Sequence, residues 1–300
     1  MHKSIKLKYG ENPHQIARWE KGPSSMILNH PDLSLNDLRN INIGYRLLCY
    51  IKRSSALIIK HANVVGMSIE TSFSKRLQMA VDTDRRAALN GLLMLNHKVT
   101  ADDLNEIQQY SFDGVVAPSF ENHETHLRLI IFRNNEEITF RKTETIGLID
   151  GSVLVQNQFY TQIKKITDFD WHGLIDLNLN KEQDVLIAWY IACTVKTNCA
   201  VLVKDGCTLA VAAGHQDGMT AIEHAFYKAK HHCKNTKDIT GAVLAVDGNF
   251  PHQIPIYPIS EERISIFILP GNAPNDNEIL DAFSHTSCSV FFSKERCFQH

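Results

Sequence analysis

Ala56-Leu57-Ile58-Ile59-Lys60-His61 is an apolar run that breaks off in two polar residues. It follows a stretch of different periodicity: from Asn36 to Lys52, Leu38, Ile41, Tyr45, Leu48 and Ile51 recur at the spacing of one helix face. A helix leading into a short, fully apolar strand is the unit of an α/β layer. The alternation continues along the chain. Ser72 to Asp82 reads as a helix, Gly91 to Leu95 as a strand, and Thr100 to Gln109 as a helix opened by a capping pattern. Gly114 to Pro118 and Arg128 to Phe132 read as strands. Asn134 to Asp150 is polar and turn-rich, and Thr161 to Asn180 reads as a linker.

A second series follows. Lys181 to Val195 reads as a helix, and Ala200 to Val203 and Thr208 to Ala213 as strands around the turn Lys204-Asp205-Gly206. A helix from Met219 to Cys233, strands at Ala242 to Val246 and Ile264 to Leu269, a helix from Asp276 to Ser284 and a strand at Ser289 to Phe292 complete it. The expected organisation is a first subdomain over residues 1–160, a linker at 161–180 and a second subdomain over 181–300. A helix leads to Lys60-His61-Ala62-Asn63 in one half and to Lys196-Thr197-Asn198 in the other, an echo that suggests a duplicated unit.

In a chain of 300 residues, 44% apolar and 21% charged residues supply ample material for a core. A net charge of −2 argues against a broad basic face for polyanions. The seven cysteines contain no C-x-x-C pair and read as reduced thiols. With no secretory h-region and no apolar run near the roughly 20 residues of a membrane helix, the expected compartment is the cytoplasm.

Strand ends in α/β layers are where sites form, which draws attention to Lys60 and His61. A lone His there is commonly a hydrogen-bonded structural residue. An ammonium beside an imidazole favours its neutral, proton-accepting form. Near the N-terminus, Leu7-Lys8-Tyr9-Gly10-Glu11-Asn12-Pro13-His14-Gln15 crowds a cation, a phenol, an amide and an imidazole around a Gly and a Pro. Such a segment buries little apolar area, so packing explains it poorly. His123-x-x-His126 and His231-His232 lack a third ligand at sensible spacing, so no metal is expected. The zinc-deaminase signature, Gly-rich phosphate loops and the G-x-S-x-G elbow are absent from the sequence.

The segment at 7–15 resembles L-R-Y-G-x-N-P-H-Q, the opening signature of the AICAR transformylase family, with Lys8 in place of Arg. Further blocks follow in the family's order. Ile59-Lys60-His61-Ala62-Asn63 resembles its K-H-A-N-P-x-G segment, with Val64 for Pro. Asp113 and Ala117-Pro118-Ser119 resemble its I-I-A-P-S block. Thr194 to Gly206 resembles V-K-S-N-A-I-V-L-V-K-D-G, and Arg296-Cys297-Phe298-Gln299-His300 resembles the closing M-R-H-F-R-H. The resemblance runs from Leu7 to His300 and implies two cytidine-deaminase-like subdomains in tandem, without the cyclohydrolase domain that precedes this unit in the family.

It also implies roles. Lys60, His61 and Asn198 would be catalytic. Lys8, Tyr9, His14, Asp37, Asp113, Arg296, Phe298 and His300 would face the nucleotide, with Lys8, Tyr9 and Arg296 as a phosphate clamp. Met219, Asp247, Phe250, Pro251 and His252 fall on the folate side. That side departs most from the pattern: the Arg of G-A-G-Q-x-S-R is Gly218, and the second acid of S-D-A-F-F-P-F-R-D is Ile254. Asp37 stands where the family usually has Asn.

The implied activity is formyl transfer from 10-formyltetrahydrofolate, as cosubstrate, to the amine of an AICAR-like nucleotide. The alternatives are a family member with a changed donor or acceptor, and a catalytically silent nucleotide-binding protein. The implied partners are small molecules and a second copy of the chain, in a homodimer with sites at the interface, rather than nucleic acid or membrane. A monovalent cation is a further requirement that the resemblance allows.

Overall fold

The computed structural model describes residues 3–22, 25–29, 32–122, 124–133, 141–174, 177–235, 238–250 and 252–300. The first half contains β1 (Lys3–Lys6), β2 (Arg18–Lys21), α1 (Leu35–Leu48), β3 (Ala56–Lys60), β4 (Asn63–Ser68), α2 (Phe73–Asp82), α3 (Arg85–Ala88), β5 (Leu92–Leu95), α4 (Ala101–Ile107), β6 (Gly114–Ala117) and β7 (Leu129–Ile131). Then come β8 (Thr143–Gly147), β9 (Val153–Asn157) and β10 (Asp170–His172). The second half contains α5 (Leu179–Ala192), β11 (Ala200–Lys204), β12 (Cys207–Ala212), α6 (Gly218–His231), β13 (Val243–Val246), α7 (Ile256–Glu261), β14 (Ile266–Leu269), α8 (Asp276–Phe283) and β15 (Ser289–Phe292).

Eleven strands form one mixed sheet in the order β10-β15-β14-β13-β11-β12-β4-β3-β5-β6-β7. The runs β4-β3-β5-β6-β7 and β12-β11-β13-β14-β15 follow one plan. Each begins with an antiparallel hairpin, adds a third strand antiparallel to the hairpin's first, and ends with two parallel strands. The repeat reaches individual residues. From α1 through β4, each position has a counterpart in α5 through β12 at one constant spacing: Leu35 with Leu179, Cys49 with Cys193, Ala56 with Ala200, Lys60 with Lys204. Both hairpins even shift register at the same place, between Ile58 and Ile59 and between Leu202 and Val203. The counterpart of Lys60-His61-Ala62-Asn63 is therefore Lys204-Asp205-Gly206-Cys207. The echo with Lys196-Thr197-Asn198 is corrected, because that segment precedes the hairpin rather than turning it.

Alternate strand residues point to opposite faces of the sheet. Leu57, Ile59, Leu92 and Val116 join Val201, Val203, Val243 and Ile266 in one continuous core with Ile41 and Tyr45 of α1 and Val185 and Trp189 of α5. The opposite face carries two separate cores. Ala56, Ile58, Leu93 and Val115 pack with Leu77 of α2 and Leu104 of α4. Leu202, Leu244 and Phe267 pack with Ala225 of α6 and Phe283 of α8. The halves meet where β4 pairs with β12. At this seam the buried Thr208 hydroxyl accepts the Met67 N–H at 2.8 Å and lies 2.9 Å from the Thr83 hydroxyl.

β8, in the turn-rich stretch, pairs with β9, just beyond it, as an antiparallel ribbon, while residues 134–140 lie outside the described residues. Over the expected linker at 161–180, Thr161 and Phe169 are buried and β10 extends the sheet edge beside β15. Among the described residues, no helix is long and apolar enough to cross a membrane.

Candidate functional site

Strand register sets the singled-out residues along one end of the sheet. Ile59 pairs with Leu92, Leu92 with Gly114 and Val115 with Leu129, so the turn after β3 lines up with the starts of β5, β6 and β7. Across the seam, the end of β12, the start of β11 and the end of β13 lie at the same end.

His61 occupies the tip of the β3–β4 hairpin. Lys60 pairs with Asn63, leaving a two-residue loop in which His61 (φ 52°) and Ala62 (φ 56°) are both left-handed. Such a loop matches the strand twist, but it ordinarily recruits Asn-Gly. Non-glycine residues held there are strained, and such strain clusters at functional positions. The turn is held from below, because Asn40 of α1 accepts the Ala62 N–H at 2.8 Å. His61 is exposed. Lys60 donates to the Leu89 carbonyl at 2.6 Å, and an ammonium keeps two further donors. Asn63 accepts the Lys196 N–H at 3.1 Å, which ties this turn to the segment carrying Asn198.

Asn198 is fixed by its neighbours. Its N–H and side-chain amide both donate to the His215 carbonyl, at 3.0 and 3.1 Å, and its own carbonyl accepts the His215 N–H. The C-terminal tail packs on the same segment. Thr197 donates to the Gln299 carbonyl, Lys196 to the His300 carbonyl, and the Phe298 ring faces Gly248. Arg296 lies over the Phe298 ring, 5.6 Å from its centroid. Asp247 is buried behind Asn198, accepting the Cys199 N–H at 2.9 Å. Burial pushes its carboxyl above the usual range, against the hydrogen bond from the Cys199 N–H. The structure thus places Asp247 under the Asn198 segment.

Lys8, Tyr9, Asp37 and Asp113 line a cavity of about 400 Å³, together with Asp32, His126 and Arg128. Asp37 closes the capping box of α1 with Ser34 and is buried. Burial alone would raise its pKa, but Arg128 and the Ser34 N–H and hydroxyl hold it below the usual carboxylate range. His14 sits exposed at the tip of a loop that Gln15 closes back onto Gly10 and Asn12. A Cβ at Gly10 would meet the Gln15 Cβ at 2.8 Å, so the loop needs glycine there. Arg296 does not line this cavity within one chain. β7 and β11 stand six steps apart in the sheet, about 29 Å at the usual strand spacing.

On the folate side, Met219 is half-buried, Phe250 is buried against Phe267, and His252 is exposed. Pro251 lies outside the described residues. A Cβ at Gly218 would meet Phe250 Cε1 at 2.9 Å, so the Phe250 ring fills the place of a side chain at that position.

Arg128, Asn40 and His215 are the residues that reading the sequence for sites missed. Arg128 registered there only as the start of a strand, and its partners Asp37 and Asp113 are remote in sequence. The His215 ring lies 3.0 Å from His224 Nδ1, and burial together with His215 and Lys228 lowers the His224 pKa. His232 contacts Asp84, and His123 lies outside the described residues. Among the described residues, no group of three His, Cys, Asp or Glu side chains could hold a metal ion.

A family model described as the AICARFT/IMPCHase bienzyme matches residues 1–228. The bifunctional purine biosynthesis protein PurH of Persephonella marina is 27% identical over 98% of this chain and 59% of its own length. The PurH protein of Prochlorococcus marinus strain MIT 9301 is 30% identical over 98% of the chain and 60% of its own length. That of Aquifex aeolicus is 26% identical over 98% and 59%. The chain spans about three fifths of the length of these relatives. With that coverage, this chain belongs to the AICARFT/IMPCHase bienzyme family.

Proposed function

We propose that the protein transfers a formyl group from 10-formyltetrahydrofolate to the amine of AICAR or an AICAR-like nucleotide. The observation that carries this reading is the left-handed turn that presents Lys60 and His61 and is bonded through Asn63 to the Asn198 segment. The acceptor amine attacks the formyl carbon, and His61 takes the proton that the amine gives up. Remaining N–H donors of Lys60 and Asn198 stabilise charge on the formyl oxygen. The bond from the formyl carbon to folate N10 then breaks, and N10 takes up a proton. A weakly nucleophilic amine gains much of its rate from positioning, which the fixed turn provides.

In this reading the architecture is a pair of cytidine-deaminase-like subdomains, residues 1–160 and 181–300, supported by the repeated strand order. The protein acts as a homodimer with sites at the interface. Two observations support that. The Lys8–Tyr9–Asp113 cavity lies far along the sheet from Asn198 and the tail that carries Arg296, so a second copy would complete the site. The β8–β9 ribbon also exposes Ile146, Ile149, Val153, Leu154 and Val155. A lone two-stranded ribbon is marginal in water, and exposed apolar patches mark interaction surfaces.

A second reading, formyl transfer from a changed donor, is favoured by the Phe250 ring filling the space beside Gly218. Calorimetric titration with AICAR and, separately, with 10-formyltetrahydrofolate distinguishes them. Binding of both, followed by turnover, supports the first reading. Binding of the nucleotide alone supports a changed donor or a silent binding protein, and binding of neither overturns the acceptor assignment.

A further inference from the structure

We propose that Arg128 is a positioning residue that holds Asp113 toward the ligand, and that it is not an anion-binding group. The inference rests on the reading of this cavity as the acceptor site. A guanidinium has five N–H donors. Those of Arg128 are all engaged: Nε with the Asp113 carbonyl at 3.1 Å, one terminal nitrogen with Asp37 Oδ2 at 2.8 Å and the Asp32 carbonyl at 3.4 Å, the other with Asp37 Oδ1 at 2.8 Å and Asp113 Oδ2 at 2.6 Å. No donor is left for a phosphate oxygen. Asp37 is equally committed, because its Oδ2 also accepts the Ser34 N–H and hydroxyl at 2.7 and 2.8 Å. The result is a rigid bridge from the cap of α1 through Asp37 and Arg128 to Asp113.

Charge points the same way. Asp32, Asp37 and Asp113 line the cavity against Lys8 and Arg128, and Lys8 itself lies 3.5 Å from Asp32. The Asp113 carboxylate is largely exposed and keeps lone pairs free of Arg128. Arg128 therefore fixes an acceptor for hydroxyl or amino donors of the ligand, while the Lys8 ammonium, which keeps further N–H donors beside its pairing with Asp32, serves the phosphate.

The test is calorimetric titration of the full chain and its variants with AICAR and with the corresponding riboside, which lacks the phosphate. Arg128→Lys keeps the charge but loses the planar fork. It should weaken both ligands by a similar factor, about tenfold or more, leaving the nucleotide-to-riboside ratio unchanged. Asp113→Asn should reproduce that pattern, and Lys8→Met should weaken AICAR selectively. A selective loss of AICAR in Arg128→Lys, with the riboside unaffected, would overturn the proposal. Unchanged affinity for both ligands would also overturn it, because a merely structural residue leaves the folded fraction binding normally. If the unaltered protein binds neither ligand, the acceptor reading fails and takes the ligand-facing role of Asp113 with it. A double-mutant cycle between Arg128→Lys and Asp37→Asn, read by urea denaturation, tests the bridge apart from any ligand, and additive effects would refute it.

Discussion

Asn40 accepts the backbone N–H of Ala62 at 2.8 Å, and through this one bond helix α1 holds the left-handed turn that presents His61. The second half repeats the device with different chemistry. Asp184 of α5 accepts the N–H groups of Gly206 at 2.7 Å and Asp205 at 3.0 Å. The first residue of the turn is thus an imidazole, His61, in one half and a carboxylate, Asp205, in the other.

His61→Ala should abolish formyl transfer while leaving AICAR affinity within about tenfold of the unaltered protein. Steady-state turnover and calorimetry measure the two separately. Surviving turnover would assign the base elsewhere.

Ala62→Gly should stabilise the protein by about 0.5–1 kcal/mol. A left-handed alanine costs more than the added chain entropy of a glycine, and the counterpart position is already Gly206 at φ 72°. Thermal unfolding gives the sign directly. A fall in the melting temperature would contradict the turn geometry.

Asp184→Asn should remove a pH-dependent weakness. Burial raises the Asp184 pKa above its ordinary 3.8, against the Gly206 N–H, Lys181 and the Asp205 N–H. The folded state therefore binds this proton more tightly than the unfolded state, and stability falls as pH rises from about 4 through the folded pKa. An asparagine has no such proton, and Asn40 shows that an amide can hold this kind of turn. Urea denaturation should show the variant gaining on the unaltered protein as pH rises from about 4 through the folded pKa of Asp184. A constant difference would mean that Asp184 does not titrate abnormally.

Thr208→Val should cost about 1–3 kcal/mol, because it leaves the buried Met67 N–H without its acceptor at the seam between β4 and β12. Chemical denaturation checks this. A neutral result would show that the seam relaxes to restore a backbone partner.

Helix α1 and strand β3 were legible because their patterns are local: apolar residues on one helix face, then an unbroken apolar run. β4 was missed, because a His-Ala turn is not a recognised hairpin signal and the strand begins immediately after it. The ribbon β8–β9 was hidden because both of its faces are exposed, so no burial pattern marks it.

The site divides in the same way. The sequence by itself determined the family and the residue types that could carry chemistry, because Lys60-His61, Asn198 and the tail at Arg296 to His300 are each contiguous motifs. Tertiary structure alone decided which groups meet. Asp37, Asp113 and Arg128 converge only when α1, β6 and β7 are assembled, and Asn40 reaches Ala62 only when α1 packs under its hairpin. Hydrogen bonds and ion pairs act over a few ångströms of space, whatever the separation along the chain. Identity could therefore be read from order, whereas the commitment of every Arg128 donor could be read only from coordinates.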